Sequence, residues 1–174
     1  EDEAAARPAG AKSTIDGQDL HDVMLLSVKA DATVSFEDIV FCRAKNRVVN
    51  KRGHGDLAFA NCDFLNNGRT QKASGRVVYS IGEAGCASLS VSNCFFGGQM
   101  YNSASADTGH GASIYLSNYR QLTVDDSLFV SNGMAKANEN TNAGGAMGSA
   151  IYGYNTPATM RGTRFSGNCN AVNG

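Results

Sequence analysis

Apolar and polar residues alternate within a segment of eleven residues that returns five times along the chain. The first and third positions of this repeat are apolar in nearly every copy, and the second position is small or polar. Alternation with a period of two is typical of a β-strand that buries one face. The fifth position holds Asp, Asn or Gly, which favour a tight turn. The five copies cover residues 34–44, 57–67, 89–99, 122–132 and 158–168.

A second short apolar strand precedes each copy, and Tyr79, Tyr115 and Tyr152 hold matching places in three of these strands. One repeat and its preceding strand form a unit of roughly twenty residues, which is the size of one coil of a β-helix. Such a unit buries its apolar face only by stacking on its neighbours. The pattern therefore predicts an all-β fold, a parallel β-helix solenoid of about five rungs with loop insertions on one face.

Two positions of the repeat predict columns of side chains inside the fold. The eighth position is Phe in every copy, and rings stacked at the inter-strand spacing of about 4.8 Å would fill a narrow interior. The eleventh position is an amide in four copies, which predicts a stack of amides bonded to neighbouring turns. The predicted columns contain Phe41, Phe64, Phe96, Phe129 and Phe165, and Asn67, Asn132 and Asn168 together with Gln99.

Three segments rich in Gly, Asn, Ser and Ala separate the later copies, at residues 68–75, 100–111 and 133–148. Their composition and unequal length predict loops inserted on one face of a regular scaffold. Binding residues are often found on such loops. The candidates for contacts with a protein or glycan partner are Arg69, Gln71, Tyr101, Asn102, Asp107, His110, Lys136, Asn138 and Glu139.

Composition supports a single turn-dense β domain, because 20 of the 174 residues are glycine and only 18% are charged. We expect residues 21–174 to form this domain and residues 1–20 to form an N-terminal extension or cap. Fifteen basic and sixteen acidic residues give a formal net charge of −1, which argues against nucleic-acid or anionic-membrane binding. No apolar stretch approaches the roughly 18 residues of a membrane span. The densest basic run, residues 43–52, predicts a solvated turn, with a site for an acidic partner as the alternative.

Three copies of the repeat contain the motif Phe-x-x-Asn, at residues 64–67, 129–132 and 165–168. Residues 144–147 read Gly-Gly-Ala-Met, and a looser variant, Gly-Ala-Ser-Ile, stands at residues 111–114. These motifs resemble the FxxN and GGA-I/L/V repeats of chlamydial polymorphic membrane proteins. The resemblance implies a right-handed parallel β-helix and an adhesin passenger that is exported to the outer membrane and exposed at the cell surface.

Five cysteines are present, and none has the spacing of a metal-binding pair. Cys62 and Cys94 both occupy the sixth position of consecutive copies. Stacking in register would bring their Cα atoms to about 4.8 Å, which lies within the range of a disulfide. Two interpretations stay open, a Cys62–Cys94 disulfide or a column of small buried thiols that Ser127 and Thr163 continue.

Some right-handed β-helices degrade polysaccharides, and such an enzyme would need clustered carboxylates on one exposed strand face. Adjacent strand residues point to opposite sides, and Asp126 shares its turn position with other copies, so one member of the pair Asp125 and Asp126 is expected to be structural. We therefore expect no catalytic residue, no metal ion and no cofactor. The weak catalytic candidates are Asp125 and Asp126, with Arg120, Arg161 and Arg164 on adjoining rungs. Asp63 and Asp38 are the next nearest carboxylates in the columns of the repeat.

These patterns favour a non-catalytic, adhesin-like scaffold that is extracellular or at the cell surface and binds a protein or glycan partner through its loops. One alternative is a structural subunit of a larger assembly, organellar or assembly-bound, packed against a neighbouring subunit at the C-terminal edge of the β-helix. The other alternative is a polysaccharide lyase or hydrolase of the pectate-lyase-like class.

Overall fold

The computed structural model describes residues 12–19, 26–28, 31–68, 77–82, 86–102, 113–135 and 148–170. Every regular element within these ranges is a short β-strand. In chain order the strands are β1 (Ser13–Asp16), β2 (Leu26–Val28), β3 (Val34–Glu37), β4 (Ile39–Cys42), β5 (Val49–Arg52), β6 (Leu57–Ala60), β7 (Asp63–Leu65), β8 (Val78–Ile81), β9 (Ser88–Ser92), β10 (Phe95–Gly97), β11 (Met100–Asn102), β12 (Ile114–Ser117), β13 (Gln121–Asp125), β14 (Leu128–Val130), β15 (Gly133–Ala135), β16 (Ile151–Tyr154), β17 (Ala158–Arg161), β18 (Arg164–Ser166) and β19 (Cys169–Asn170).

The strands form four parallel sheets in which neighbours come from consecutive copies of the repeat. Sheet A has the order β1-β4-β7-β10-β14-β18, sheet B the order β2-β5-β8-β12-β16, sheet C the order β3-β6-β9-β13-β17, and sheet D the order β11-β15-β19. We call one set of consecutive strands from sheets B, C and A, with D where it is present, a rung. The five rungs begin at β2, β5, β8, β12 and β16. The predicted all-β class and the parallel stacking of the repeat are confirmed.

The eighth-position phenylalanines form one column because sheet A keeps the copies in register. The rings of successive rungs are stacked, with centroids 4.4 to 5.2 Å apart. Phe59, from sheet C, packs edge-on against Phe64 at 5.2 Å. Stacking and edge-to-face packing are the arrangements that aromatic quadrupoles prefer. The first four rings of the column are 0% exposed, and the last is less shielded. The column contains Phe41, Phe64, Phe96, Phe129 and Phe165.

Two turn positions in each rung use the left-handed backbone conformation. The fifth position lies between sheets C and A, and the tenth follows the strand of sheet A. Asn and Asp tolerate a positive φ better than other residues with a side chain, and Gly adopts it without steric cost. This explains why the fifth position is always Asp, Asn or Gly. The residues with positive φ are Asp38, Asn61, Asn93, Asp126 and Gly162 at the fifth position, and Arg43, Asn66, Gly98, Ser131 and Gly167 at the tenth.

Side-chain amides at the eleventh position join each rung to the one before it. Asn132 is fully buried, and its Nδ2 donates to the carbonyl of Phe96 at 2.9 Å while its Oδ1 accepts from the backbone N–H of Gln99 at 3.2 Å. Asn67 makes the same two contacts with the rung before it. Its Nδ2 donates to the carbonyl of Phe41, and its Oδ1 accepts from the N–H of Ala44. The amides therefore satisfy buried backbone groups at a corner where the strand ladder is interrupted.

Strand β1 adds a sixth strand to sheet A, on the side of the first rung. Ile15 pairs in register with Phe41, and the Nζ of Lys12 forms an ion pair with Asp63 at 2.9 Å. A strand in this place covers the edge of β4, as a cap does. The proposed boundary at residue 20 lies outside the described residues and stays a prediction.

Candidate functional surface

The fifth rung exposes side chains whose equivalents are buried in the rungs beneath it. Phe165 is 48% exposed, whereas Phe129 at the same position of the fourth rung is 0% exposed. Met160 is 43% exposed, whereas Val124 at its position is 0% exposed. The outer surface of the fifth rung, which we call the end face, is therefore apolar in its middle.

Two cations border the end face. Arg161 ends β17 and Arg164 begins β18, and both residues are exposed. Neither strand contains an acidic residue. Within the described ranges, neither guanidinium takes part in an ion pair. Both strands are also the last members of their sheets, so each presents one edge that no other described strand covers.

The two aspartates proposed as weak catalytic candidates have different surroundings. Asp125 lies between Ser92 and Arg161 in the register of sheet C, and its Oδ1 is buried without a hydrogen-bond partner. Asp126 is exposed in the turn that follows, with a φ of 48°. Its backbone N–H donates to the carbonyl of Arg161 at 2.8 Å, which is a contact of the regular turn. Asp126 therefore holds a structural position.

The next carboxylates in the columns, Asp63 and Asp38, lie in the second and first rungs and have local partners. Asp63 binds Lys12, and Asp38 accepts a hydrogen bond from the side-chain amide of Asn61. In the part of the chain that the structure describes, no group of three or more His, Cys, Asp and Glu residues could hold a metal ion.

Cys62 and Cys94 occupy adjacent rungs, and both side chains are buried. The Sγ of Cys94 accepts from the backbone N–H of Cys62 at 3.4 Å and donates to the carbonyl of Ser92 at 3.2 Å. Ser127 makes the same two contacts with its hydroxyl one rung later. The thiols therefore serve as hydroxyl analogues, and the Cys94 thiol lowers the pKa of Cys62 by hydrogen bonding. The disulfide stays a prediction.

Lys51 lies inside the fold, a position that we did not identify from the sequence. It follows Val49 by two residues in β5, so both side chains are on the inner face, and Lys51 is 0% exposed. Its Nζ is buried and has no hydrogen-bond partner among the residues that the structure describes. Burial lowers the pKa of Lys51, and the negative charges of Asp31 and Asp56 partly oppose this shift.

A hydrogen-bonded pair lies beside Lys51. The hydroxyl of Ser80 donates to the backbone carbonyl of Lys51 at 2.8 Å and is also hydrogen bonded to the hydroxyl of Tyr119. Tyr119 is 1% exposed, and burial raises its pKa. The cluster is closed to solvent, so it contributes to the interior and offers no accessible reactive group.

The basic run at residues 43–52 does not form one surface. Arg43 is bound to Asp16, and the guanidinium of Arg47 lies over the ring of Tyr79, 4.0 Å from its centroid. With Lys51 inside the fold, the cations of the run point to different environments. The alternative of an acidic-partner site on this run is therefore not supported. Arg47 instead covers one end of a stack on the outer face of sheet B that contains Tyr79, Tyr115 and Tyr152, with centroids 5.1 and 5.3 Å apart.

No protein-family model, no curated protein and no solved structure matches the chain. Among the residues that the structure describes, no helix is long and apolar enough to cross a membrane.

The loops predicted to bind a partner are only partly described. Tyr101 and Asn102 belong to β11, and residues 133–135 form β15, so two of the predicted loops begin as strands of sheet D. These strands were not predicted, because each is only three residues long and lies in a segment of loop-like composition. The remaining candidates lie outside the described residues and are Arg69, Gln71, Asp107, His110, Lys136, Asn138 and Glu139.

Proposed function

We propose that this chain is a non-catalytic, right-handed parallel β-helix that works by binding another macromolecule, as an adhesin-like scaffold or an assembly subunit at the cell surface. The observation that carries the proposal is the end face, where Phe165 and Met160 are about half exposed at positions that are buried in the rungs beneath. Exposed apolar patches bordered by polar residues are typical of interaction sites.

Burial of the end face would be favourable for two physical reasons. Covering a large apolar side chain contributes about 1.5–3 kcal/mol relative to leaving it fully exposed, and roughly half of that remains to be gained at Phe165. The unpaired edges of β17 and β18 can in addition accept another strand, as sheet edges do when they bind peptides or subunits.

The interior of the described rungs supports binding over catalysis. Its columns consist of stacked rings and of amides whose polar atoms are bonded to the adjacent rung. Two polar side chains of the interior, Lys51 with a lowered pKa and Tyr119 with a raised pKa, are sealed from solvent. A substrate would have no described reactive group to approach in that interior.

The test is isolation of the protein from its native source under mild conditions, followed by light scattering on the eluted species. We expect a scattering mass larger than the intact mass of the isolated polypeptide, measured by mass spectrometry on the same sample. A tagged Phe165→Ser variant should lose the bound partner, whereas a Phe95→Ser variant on the outer face of sheet A should keep it. Retention of the partner by the Phe165→Ser variant, or elution as the bare chain, would contradict binding through the end face.

The loops remain a second proposed binding surface. Deleting residues 103–109 should weaken partner binding while the β-sheet circular dichroism signal and the melting temperature stay nearly unchanged. Loss of folding in this deletion would show that the segment is structural.

A further inference from the structure

Among the described residues, sheet A begins and ends with a strand that has a neighbour on one side only. These strands are β1 and β18, and they lie at opposite ends of the stack. All strands of the sheet run parallel. The edge of β18 on one molecule and the edge of β1 on another can therefore meet in the same direction and continue the sheet.

The contacts between rungs define what β18 requires from a neighbour. At the sixth position the backbone N–H donates to a thiol or hydroxyl of the following rung, as Cys62 does to Cys94 and Cys94 does to Ser127. By the same rule the N–H of Thr163 needs a thiol or hydroxyl beyond the fifth rung. At the eighth position Phe165 needs an apolar side chain to cover its ring.

Strand β1 offers both groups at the required spacing. Its register with β4 places Ser13 at the sixth position and Ile15 at the eighth. Ser13 is exposed and Ile15 is partly exposed, so both are accessible on the first edge of the sheet. Residues 13–16 thus reproduce the chemistry of the second half of the repeat, with Ser13 in the role of Ser127 and Ile15 in that of a phenylalanine.

The two ends of the stack also carry complementary charge. The end face is bordered by Arg161 and Arg164, whereas the opposite end carries exposed acidic residues on β1 and β3 and in the turns beside them. Opposite charges that meet on association favour the encounter and suppress wrong orientations. The acidic residues at that end are Asp19, Asp31, Glu37 and Asp38, together with Asp16, whose charge is opposed by its ion pair with Arg43.

We infer that the end face binds a second copy of this chain head to tail. Strand β18 of one copy pairs with β1 of the next, with Thr163 opposite Ser13 and Phe165 opposite Ile15. The two surfaces in this contact are different, so the contact is heterologous and repeats along the stack without closing. The inference rests on the proposed function and names the partner of the same surface.

Disulfide trapping tests the register with variants that carry one introduced cysteine and keep the buried Cys62 and Cys94. The full chain carries Cys42→Ser, Cys86→Ser and Cys169→Ser, and then either Ser13→Cys or Thr163→Cys. Cysteine already occupies the sixth position in Cys62 and Cys94, so the introduced side chains suit the fold. Mild oxidation with oxidised glutathione should give a covalent dimer when the two variants are mixed, and none above the parent level with either variant alone.

A register-shifted pair provides the matched control. Ser13→Cys mixed with Ser166→Cys places the thiols three residues apart along the strands, beyond the Cα distance of roughly 7 Å that a disulfide bridges, and should give little dimer. Dimers from either single variant alone would indicate a symmetric contact and overturn the inference. Equal trapping by the matched and shifted pairs would overturn the register.

Light scattering on the parent chain supplies the second measurement. The average mass should rise with protein concentration beyond that of a dimer, and should fall toward the monomer at high salt or with Arg164→Glu. Arg120→Glu, an exposed arginine on the side of the stack, should change it little. A monomeric mass at all concentrations would overturn self-association. If a different polypeptide is then lost from the native complex in Phe165→Ser, the proposed function stands and only the second copy is excluded.

Discussion

Buried side-chain amides link neighbouring rungs, because they form hydrogen bonds with backbone groups at corners where the strand ladder is interrupted. Asn132 serves the N–H of Gln99 and the carbonyl of Phe96, and it also donates to the Oδ1 of Asn168 at 2.8 Å. A buried backbone group left without a partner costs about 1–3 kcal/mol. The contribution of the amide to stability therefore comes more from the backbone groups that it pairs than from its own burial.

We expect Asn132→Leu to lower the free energy of unfolding by on the order of 2–5 kcal/mol, since leucine has a similar volume but leaves two buried backbone groups unpaired. Ser90→Ala, an exposed site on β9, is the control and should change it by less than about 0.5 kcal/mol. Urea unfolding followed by circular dichroism measures both. A loss as small as that of the control would mean that the backbone groups find other partners.

Lys51 introduces a charge into the interior whenever its amine is protonated. Its pKa is lowered by burial from the reference value of 10.5, so the unfolded chain binds more protons than the folded chain between the lowered pKa and 10.5. Stability must then rise with pH in that window and be lowest, for this group, below the folded pKa. The carboxylates of Asp31 and Asp56 oppose the shift but do not reverse it.

Replacing Lys51 by Met should raise the free energy of unfolding at pH 7 by on the order of 1–3 kcal/mol, because the buried amine has no hydrogen-bond partner. The difference between the variant and the parent should shrink as the pH rises toward 10.5. Urea unfolding at a series of pH values measures the difference. A constant difference from neutral pH to pH 10 would show that Lys51 titrates normally and is paired or solvated.

At the scale of elements, the eleven-residue repeat was sufficient to predict the strands of sheet C, the turn after them and the phenylalanine column, because each copy contains the alternation and the turn residue. The strands of sheet B were predicted only as short apolar strands before each copy, and the strands of sheet A were not predicted as separate strands. Lys51 was not predicted to be buried, because its charge indicated exposure although Lys51 and Val49 lie on the same side of the alternating pattern. Strand β1 was missed because residues 13–18 carry only the second half of the repeat.

The phenylalanine column predicts a position-dependent cost of truncation. Phe96→Ala should destabilise the protein by about 3–5 kcal/mol, because the ring is fully buried between two stacked neighbours. Phe165→Ala removes the same group from the same position of the last rung, where it is 48% exposed, and should cost clearly less. Unfolding curves at low protein concentration compare the two. Equal costs would indicate that the end face is covered in solution.

The candidate sites could be predicted only in part from the sequence, and the reason differs from site to site. The buried roles of the sixth and eleventh positions follow from repeating residue types, so Cys94 and Asn132 were placed from the sequence. The end face was predicted only as an edge, since a sequence shows that a column stops but not which side chains remain exposed. Its apolar and basic character became apparent from the exposure of Met160, Phe165 and Arg164.

At the scale of the whole molecule, a stack of rungs is stabilised by contacts between nearest neighbours, so the rung with one neighbour opens most easily. We expect amides of residues 158–168 to exchange hydrogen faster than those of residues 121–132, which have a rung on both sides. Hydrogen exchange followed by mass spectrometry of peptides measures this difference.

Head-to-tail association adds a dependence on protein concentration. Protection of residues 158–168 and 13–16 should then rise together with protein concentration while residues 121–132 stay unchanged. A rise at residues 158–168 alone would indicate that the end face pairs with its own equivalent, and uniform exchange at every concentration would contradict an open last rung.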